Sequence, residues 1–145
     1  MLDWRRRTGV VVAVMGLAGC FSGNATSPTE ATAALSLAGP SWRLTSISGQ
    51  PIVSGTTITA EFSTEDRVAG TSGCNLYFGS AKVEAGRISM GPLGATLMAC
   101  SPGDVMAQEA RYLAALEAAK SYTISGDELR LGTSASEATL VFTSR

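Results

Sequence analysis

Residues 57–63 alternate polar and apolar side chains without interruption, reading Thr-Ile-Thr-Ala-Glu-Phe-Ser. Successive side chains of a β-strand point to opposite faces, so Ile58, Ala60 and Phe62 share one face and the polar residues share the other. A strand that is apolar on one side only is typical of an antiparallel sheet with one face in water. This pattern therefore restricts the domain to folds built around such a sheet.

Further segments of the chain have the length and composition of strands, and turn signals separate them. Before Cys100 they cover residues 41–49, 67–73, 74–79 and 81–91, with a turn at Gly49–Pro51 and a hairpin at Ala85-Gly86. After residue 120 the strand pattern resumes over residues 121–125, 128–132 and 138–144, with a two-residue turn at Gly126-Asp127.

Residues 101–120 contain the one convincing helix. Ser101 is expected to cap it, Pro102 to occupy the first turn without loss of a hydrogen bond, and Asp104 to interact favourably with the helix dipole. The apolar residues that form one stripe along it are Val105, Tyr112, Leu113, Leu116 and Ala119. The predicted fold is mainly β, of the α+β class: a small antiparallel, barrel-like curled sheet with one packed helix.

The first twenty residues have the layout of a secretory signal peptide. Three arginines, Arg5–Arg7, precede an apolar run over residues 9–17, about half of the roughly 20 residues that a membrane-spanning helix needs. The next residues, Leu17-Ala18-Gly19-Cys20, resemble the lipobox of bacterial lipoproteins. The resemblance implies that residues 1–19 are a lipoprotein signal peptide and that Cys20 is lipidated. An ordinary secreted protein and export by the twin-arginine route are the alternatives.

Residues 20–40 are predicted to contain the lipidated cysteine and a flexible tether, because they are rich in Ser, Thr, Ala and Gly. The folded domain is expected over residues 41–145. Removal of residues 1–19 takes Asp3 and three arginines from the 12 acidic and 11 basic residues, which leaves 11 acidic and 8 basic ones. Because this balance does not favour an anionic lipid surface, the acyl chains are expected to be the sole membrane attachment.

The expected location is the cell envelope. Phe21 follows the lipidated cysteine in place of the aspartate associated with inner-membrane retention, which favours the outer membrane, facing the periplasm, in a Gram-negative host. A short helix over residues 29–38 is an alternative to a continuous tether.

The residue types argue against several classes of function. The chain contains no histidine, so it lacks the commonest general base near neutral pH and the commonest nitrogen ligand of zinc. Its formal net charge of −1 gives no basic surface for nucleic acid. The acidic residues are scattered, and no nucleophile elbow or phosphate-binding loop is present. We therefore expect a non-enzymatic protein with no catalytic residues, no metal ligands, no cofactor and no nucleic-acid partner.

Cys74 and Cys100 are the two cysteines that remain after lipidation of Cys20. Export into an oxidising compartment favours a disulfide between them. Two buried reduced thiols are the first alternative. A reactive thiol is the second, because Cys100 precedes the predicted helix, whose dipole lowers the pKa of a thiol at its start.

At several positions the sequence is similar to the META domain family of HslJ-like heat-shock proteins. The matching positions are Trp42-x-Leu44, Gly73-Cys74-Asn75-x-Tyr77-x-Gly79, Thr96-x-Met98-Ala99-Cys100, Glu109-x-x-Tyr112-x-x-x-Leu116, Tyr122-x-Ile124-x-Gly126-x-x-Leu129-x-Leu131 and Leu140-x-Phe142. The resemblance covers about residues 41–143 and implies a small β-rich domain with one helix. It also implies a role in heat shock, novobiocin resistance or envelope integrity, without an established molecular activity.

The motif residues have a mainly structural interpretation. Gly73 and Gly79 are expected to adopt backbone geometries closed to other residues, and Trp42, Tyr77 and Tyr112 to anchor the core. Asn75 is expected to stabilise a turn rather than to contact a ligand. On the helix, Glu109 is expected to be solvated.

The sequence thus predicts a monomeric, lipid-anchored envelope protein that binds or stabilises an envelope partner under stress. An inhibitor of a hydrolase and a module that binds a small hydrophobic ligand are the alternatives.

Overall fold

The structure is a computed structural model, and it describes residues 36–64 and 66–145. These belong to one compact unit, Thr32–Arg145. The predicted signal peptide, Cys20 and most of the predicted tether lie outside the described residues.

The described residues form ten strands and one helix. In chain order these are β1 (Ser41–Ile47), β2 (Gln50–Pro51), β3 (Thr59–Ser63), β4 (Arg67–Thr71), β5 (Leu76–Glu84), β6 (Arg87–Met90), β7 (Gly94–Ala95), α1 (Gly103–Ala118), β8 (Ser121–Ser125), β9 (Glu128–Ser134) and β10 (Glu137–Ser144). The helix is too short and too polar to cross a membrane, and the described residues contain no other helix.

Eight of the strands form a closed antiparallel barrel in the order β1, β3, β4, β5, β6, β8, β9 and β10. Pairing of β10 with β1, from Trp42↔Ser144 to Ile47↔Leu140, completes the ring. The two-residue strands β2 and β7 pair with β1 and β5 outside it. The predicted fold class, a curled antiparallel sheet with one packed helix, is confirmed.

The barrel interior is filled by side chains. Ile58, Ala60 and Phe62, predicted to share the apolar face of one strand, are all buried. The largest side chains that are completely enclosed are Trp42, Tyr77, Tyr112, Phe142, Leu44, Ile58, Leu116, Leu129, Leu131, Leu140, Gln108 and Val68. They come from α1 and from five strands of the ring, β1, β4, β5, β9 and β10, with Ile58 just before β3. The helix and the barrel therefore share one core.

The helix packs over one end of the barrel, and its start differs from the prediction. It begins at Gly103, and Pro102 occupies the N-cap position with no side-chain hydrogen bond, so the predicted Ser101 cap is wrong. Asp104 lies in the first turn as predicted. The buried residues of the helix are Val105, Tyr112 and Leu116 of the predicted stripe and the polar residues Gln108 and Glu109.

One predicted break in the sheet is wrong. Residues 74–79 and 81–91 were expected as separate segments, but β5 runs through Gly79 without interruption. Gly79 pairs with Val68 and does not have a positive φ angle. A Cβ atom there would lie 2.6 Å from Leu93 Cδ2, so the glycine allows a loop to pack closely rather than an unusual backbone conformation.

Packing begins within the segment predicted as tether. Leu37 is buried, and its carbonyl oxygen accepts a hydrogen bond of 2.9 Å from Nε1 of Trp42. Because Ser36 and Leu37 lie near Thr64 and Val83, the described chain enters the barrel at the end opposite α1.

The two ends are named here for use below. The helix end contains α1, the 72–75 turn and the segment 94–100; the N-terminal end contains Ser36, Leu37 and the turn after β3. β5 connects them, and its nine residues span roughly 26 Å at about 3.3 Å per residue.

Candidate functional site

The turn over residues 72–75 joins β4 to β5 at the helix end. The amide of Ser72 donates a hydrogen bond of 2.8 Å to the carbonyl oxygen of Asn75, which closes the turn. Gly73 has a φ angle of 105°, a conformation that side chains rarely adopt, so its predicted backbone role is observed. The turn places Cys74 and Asn75 next to the segment that precedes α1.

Asn75 connects three parts of the fold. Its Oδ1 accepts hydrogen bonds of 2.7 Å from the amide of Met98 and 2.7 Å from Oγ1 of Thr96. Its Nδ2 donates to Oε1 of Glu109 at 2.7 Å and to the carbonyl oxygen of Met98 at 3.3 Å. The side chain therefore fixes a loop and the helix against the barrel, a wider structural role than the turn amide predicted.

Glu109 is buried, so the prediction of a solvated carboxylate is wrong. Only 7% of the residue is exposed, and its carboxylate accepts hydrogen bonds from the Ser72 hydroxyl and from the backbone and side-chain amides of Asn75. Burial by itself raises the pKa of Glu109, but these hydrogen bonds outweigh it and hold the pKa below its ordinary value. The ionised carboxylate thus joins α1 to the turn.

A disulfide joins Cys74 and Cys100, which confirms the pairing that the sequence favours over two reduced thiols or a reactive thiol. The two Cα atoms are 5.9 Å apart, and the residues are separated by 26 positions. Asn75 and the disulfide hold the segment 94–100 at two places: Asn75 binds its middle, and the disulfide fixes its last residue, Cys100.

Tyr77 and Tyr112 lie face to edge beneath this segment, with ring centroids 5.6 Å apart. Their hydroxyl oxygens are 2.7 Å apart, and the Tyr77 hydroxyl donates to the carbonyl oxygen of Thr59 at 2.9 Å, so the Tyr112 hydroxyl donates to Tyr77. Burial raises the pKa of both phenols well above 10. Both tyrosines are therefore neutral near neutral pH and serve as structural donors.

Sequence reasoning missed Gln108. Its Oε1 accepts a hydrogen bond from the amide of Val53, and its Nε2 donates to Oγ1 of Thr56 at 3.0 Å, so it fixes the long β2–β3 loop to α1. The signal was present, because Gln108 and Glu109 continue the spacing of the apolar stripe between Val105 and Tyr112. Their polar side chains excluded them from a stripe defined by apolarity.

Four large apolar side chains are exposed among the described residues, and three of them lie at the helix end. The fourth, Phe78, extends this surface along β5 toward the N-terminal end, where it lines a groove with Gly39 and Ser63. Leu76 and Phe78 are 57% and 59% exposed on β5; Leu97 and Met98, in the adjoining segment, are 99% and 54% exposed. Pairing of β5 with β7 and a 3.0 Å hydrogen bond from the Thr96 amide to the Leu76 carbonyl bring the two segments together. We call these four residues the apolar face.

A groove of about 420 Å³ adjoins the apolar face. Leu97 and Met98 form one wall, and Met106, Ala110 and Leu113 of α1 form another. The segment 91–103 carries no charged residue, so the wall that it contributes to the groove is uncharged. Such a surface is suited to apolar contact with another molecule.

The remaining predicted site residues have the following positions. Trp42 is completely buried, and Ala99 is exposed between Met98 and Cys100. No group of His, Cys, Asp and Glu side chains within residues 36–64 and 66–145 is arranged to hold a metal ion. Every buried side-chain nitrogen and oxygen in that part of the chain has a hydrogen-bond partner. The polar groups of this site therefore act within the fold.

Replacing Gly73 with alanine is expected to reduce the free energy of unfolding by about 1–2 kcal/mol, because the residue must hold a positive φ angle. The new Cβ atom would meet ordinary contacts, the nearest being Gln108 Nε2 at 3.5 Å, so the cost arises from the backbone. Urea denaturation measures the change. The matched control is Gly103→Ala, where the helix begins with no positive φ angle and no neighbour within 4 Å; there we expect no loss. Equal losses at both glycines would contradict the prediction.

Comparison with known proteins adds a family and two similar structures. The profile of the META domain family matches residues 35–145. A protein from Burkholderia xenovorans, solved by NMR, is 29% identical with a TM-score of 0.58, over 75% of this chain and 83% of that one. A second NMR structure is 21% identical, also with a TM-score of 0.58, over 72% of this chain and 87% of that one, and shows the fold alone. None of the curated proteins matches this chain.

Proposed function

The chain belongs to the META domain family, and we propose that it is a lipid-anchored, non-catalytic module of the cell envelope that binds a protein partner under stress. Anchoring is supported by the lipobox-like Leu17-Ala18-Gly19-Cys20. The observation that carries the binding role is the apolar face, which the disulfide and Asn75 hold in one arrangement.

A protein partner is favoured by the way in which the apolar face is built. Leu97 is almost completely exposed, yet the backbone beside it is fixed by the Met98 amide bond to Asn75 and by the Cys74–Cys100 disulfide. A fixed loop loses little conformational entropy when it binds, which increases affinity for a given contact area. Exposed apolar residues on such a loop are typical of a protein–protein contact.

The position of the apolar face also favours a partner away from the anchoring membrane. The described chain enters the barrel at the N-terminal end, whereas Leu76, Leu97 and Met98 of the apolar face lie at the helix end, where β5 begins. The length of β5, roughly 26 Å, separates the two ends along the strand. A domain anchored through its N-terminal segment can present the helix end to the space beyond the bilayer.

The ionisable groups of the helix end support a non-catalytic role. Glu109 is kept ionised by its donors, and Tyr77 and Tyr112 are kept neutral by burial. General acid–base catalysis requires a group whose pKa lies near the working pH, and these shifts move all three away from neutrality.

Photo-crosslinking in intact, heat-stressed cells tests this proposal. With p-benzoylphenylalanine in place of Leu97, we expect one discrete protein adduct, because the probe replaces the most exposed residue of the apolar face. The matched control places the probe at Ala135, an exposed residue of the β9–β10 turn, and should give no such adduct. Mass spectrometry of the same material reports whether Cys20 is lipidated.

The proposal fails if the Leu97 probe gives no adduct, or if the Ala135 probe gives the same one. A second expected result is loss of the adduct when Leu76 and Met98 are changed to serine, since both flank Leu97 and neither is buried. Saturable binding of a fluorescent fatty acid, displaced by the same changes, would instead favour the small-ligand alternative, for which the 420 Å³ groove has room.

A further inference from the structure

A groove of about 280 Å³ on the outer wall of the barrel gathers positive charge. Three basic residues line it: Lys82 on β5, Arg87 at the start of β6, and Lys120 just before β8. Lys82 and Lys120 are the two lysines of the whole chain. Glu84 and Ser89 complete the polar part of the lining, and the side chain of Ile88 lies beneath.

The strand register explains why these side chains converge. β5 and β6 pair Lys82 with Ser89 and Glu84 with Arg87, so all four side chains stand on the same outer face. The amide of Ile88 bonds to the carbonyl oxygen of Lys120, which brings the third cation alongside. Their arrangement is therefore set by the backbone pairing of the barrel.

The three cations are available to a ligand. Within residues 36–64 and 66–145, the only ion pair joins Arg130 to Glu128, so none of the three is within 4 Å of a described carboxylate oxygen. All three side chains are exposed. Three positive charges against the single carboxylate of Glu84 make the groove locally cationic, although the domain as a whole is acidic.

The groove lies toward the N-terminal end of the barrel. Val83, between Lys82 and Glu84, lines the same cavity as Ser36 and Leu37, where the described chain begins. Residues 21–35 separate this point from Cys20 and span at most about 55 Å when fully extended. An acyl chain on Cys20 therefore holds the domain within about 55 Å of the bilayer, near enough for the groove to reach the membrane surface.

We propose that the groove of Lys82, Arg87 and Lys120 binds the phosphate group of an anionic phospholipid in the membrane to which Cys20 is attached. This rests on the anchoring part of the proposed function. Charge at a bilayer surface acts over about 8 Å at physiological salt, so a local cluster is attracted even when the net charge of the domain is negative. The contact turns the apolar face away from the lipid and toward a partner.

The test uses residues 20–145 with Cys20→Ser, which retain the compact unit Thr32–Arg145 and remove both the acyl chains and the apolar signal segment. Sedimentation with vesicles measures binding to phosphatidylcholine alone and to phosphatidylcholine mixed with phosphatidylglycerol. We expect binding only to the anionic vesicles, weakened by added salt. Changing Lys82, Arg87 and Lys120 to glutamine should weaken it by on the order of 100-fold, since each such cation contributes roughly fivefold.

The matched control changes Arg67, Arg111 and Arg145 to glutamine, which removes the same charge from exposed positions outside the groove. Arg67 and Arg145 also lie toward the N-terminal end, so the control tests the groove and not merely the charge of that end. The control should keep most of the binding. Urea denaturation of each variant confirms that it is folded.

Three results would overturn the inference: no binding to anionic vesicles at low salt, an equal loss in the control, or binding of inorganic phosphate by the groove without binding of vesicles. Phosphate is titrated separately by NMR to distinguish the last case. Because the protein tested has no acyl chain and no partner is added, these results are independent of crosslinking at Leu97. A failure here would leave the partner-binding proposal standing, and the reverse also holds.

Discussion

Changing Cys74 and Cys100 together to serine is expected to lower the free energy of unfolding by about 3.5 kcal/mol, or the melting temperature by roughly 15 °C. The disulfide closes a loop with a sequence separation of 26, and its removal returns conformational entropy to the unfolded chain. The loop contains all of β5 and β6 and the segment that carries Leu97. Urea denaturation and calorimetry of oxidised protein and of the double variant measure the loss.

Reduction of the unaltered protein with dithiothreitol provides the control for the two serines, and it should produce a loss of similar size. The reduced protein and the double variant should both remain folded, because Asn75 still binds the segment through Thr96 and Met98. A change in stability below about 1 kcal/mol would show that the disulfide does not restrict the unfolded chain as proposed.

Replacing Glu109 with alanine is expected to lower the free energy of unfolding by about 2–4 kcal/mol. The change removes the acceptor for the Ser72 hydroxyl and for two N–H groups of Asn75, all of them buried. The backbone amide of Asn75 would be left without a partner inside the protein, which is more costly than the loss of the bond itself. The Ser72 hydroxyl and Nδ2 of Asn75 would keep only the carbonyl oxygens of Asn75 and Met98. Chemical denaturation at neutral pH measures the change, and an exposed carboxylate, Glu137→Ala, serves as the control and should change it by less than about 0.5 kcal/mol.

The same carboxylate should make stability depend on pH. The folded-state pKa of Glu109 lies below its ordinary value, so the unfolded chain binds more protons between the two pKa values. The contribution is complete above the pKa of the unfolded state, about 4.3, and is lost as the pH falls through the folded-state pKa. Glu109→Gln should remove this part of the acid dependence, whereas Glu137→Gln should not. An unchanged acid dependence in Glu109→Gln would show that another group is responsible.

The sequence predicted those parts of the fold whose cause is local. The alternation through Ile58, Ala60 and Phe62 identified a half-buried strand, and the Gly126-Asp127 pair identified a hairpin turn, in which Gly126 has a φ angle of 60°. Both signals depend on neighbours within a few residues, and tertiary packing did not override them. Closure of the barrel by β1 and β10 joins residues about 100 positions apart. No local signal identifies this pairing, and the sequence predicted only that the sheet is curled and barrel-like.

The site was less predictable because its contacts are distant in sequence. The bonds of Asn75 to Thr96, Met98 and Glu109 span 21 to 34 positions. A helical glutamate is usually solvated, and only the three-dimensional position of the 72–75 turn reveals that Glu109 is buried. The residue type of Ser101 predicts a cap, but Pro102 occupies the N-cap position, so Ser101 lies one residue outside it.

The pairing of the first long strand with the last has a consequence for synthesis. Until β10 has left the ribosome, β1 and β9 each lack one partner and expose a row of unpaired amide and carbonyl groups. A nascent or truncated chain that ends before Glu137 therefore has two exposed edge strands that can pair with other chains. In the complete barrel β10 covers both of these edges. Premature termination should produce aggregation rather than a smaller working domain.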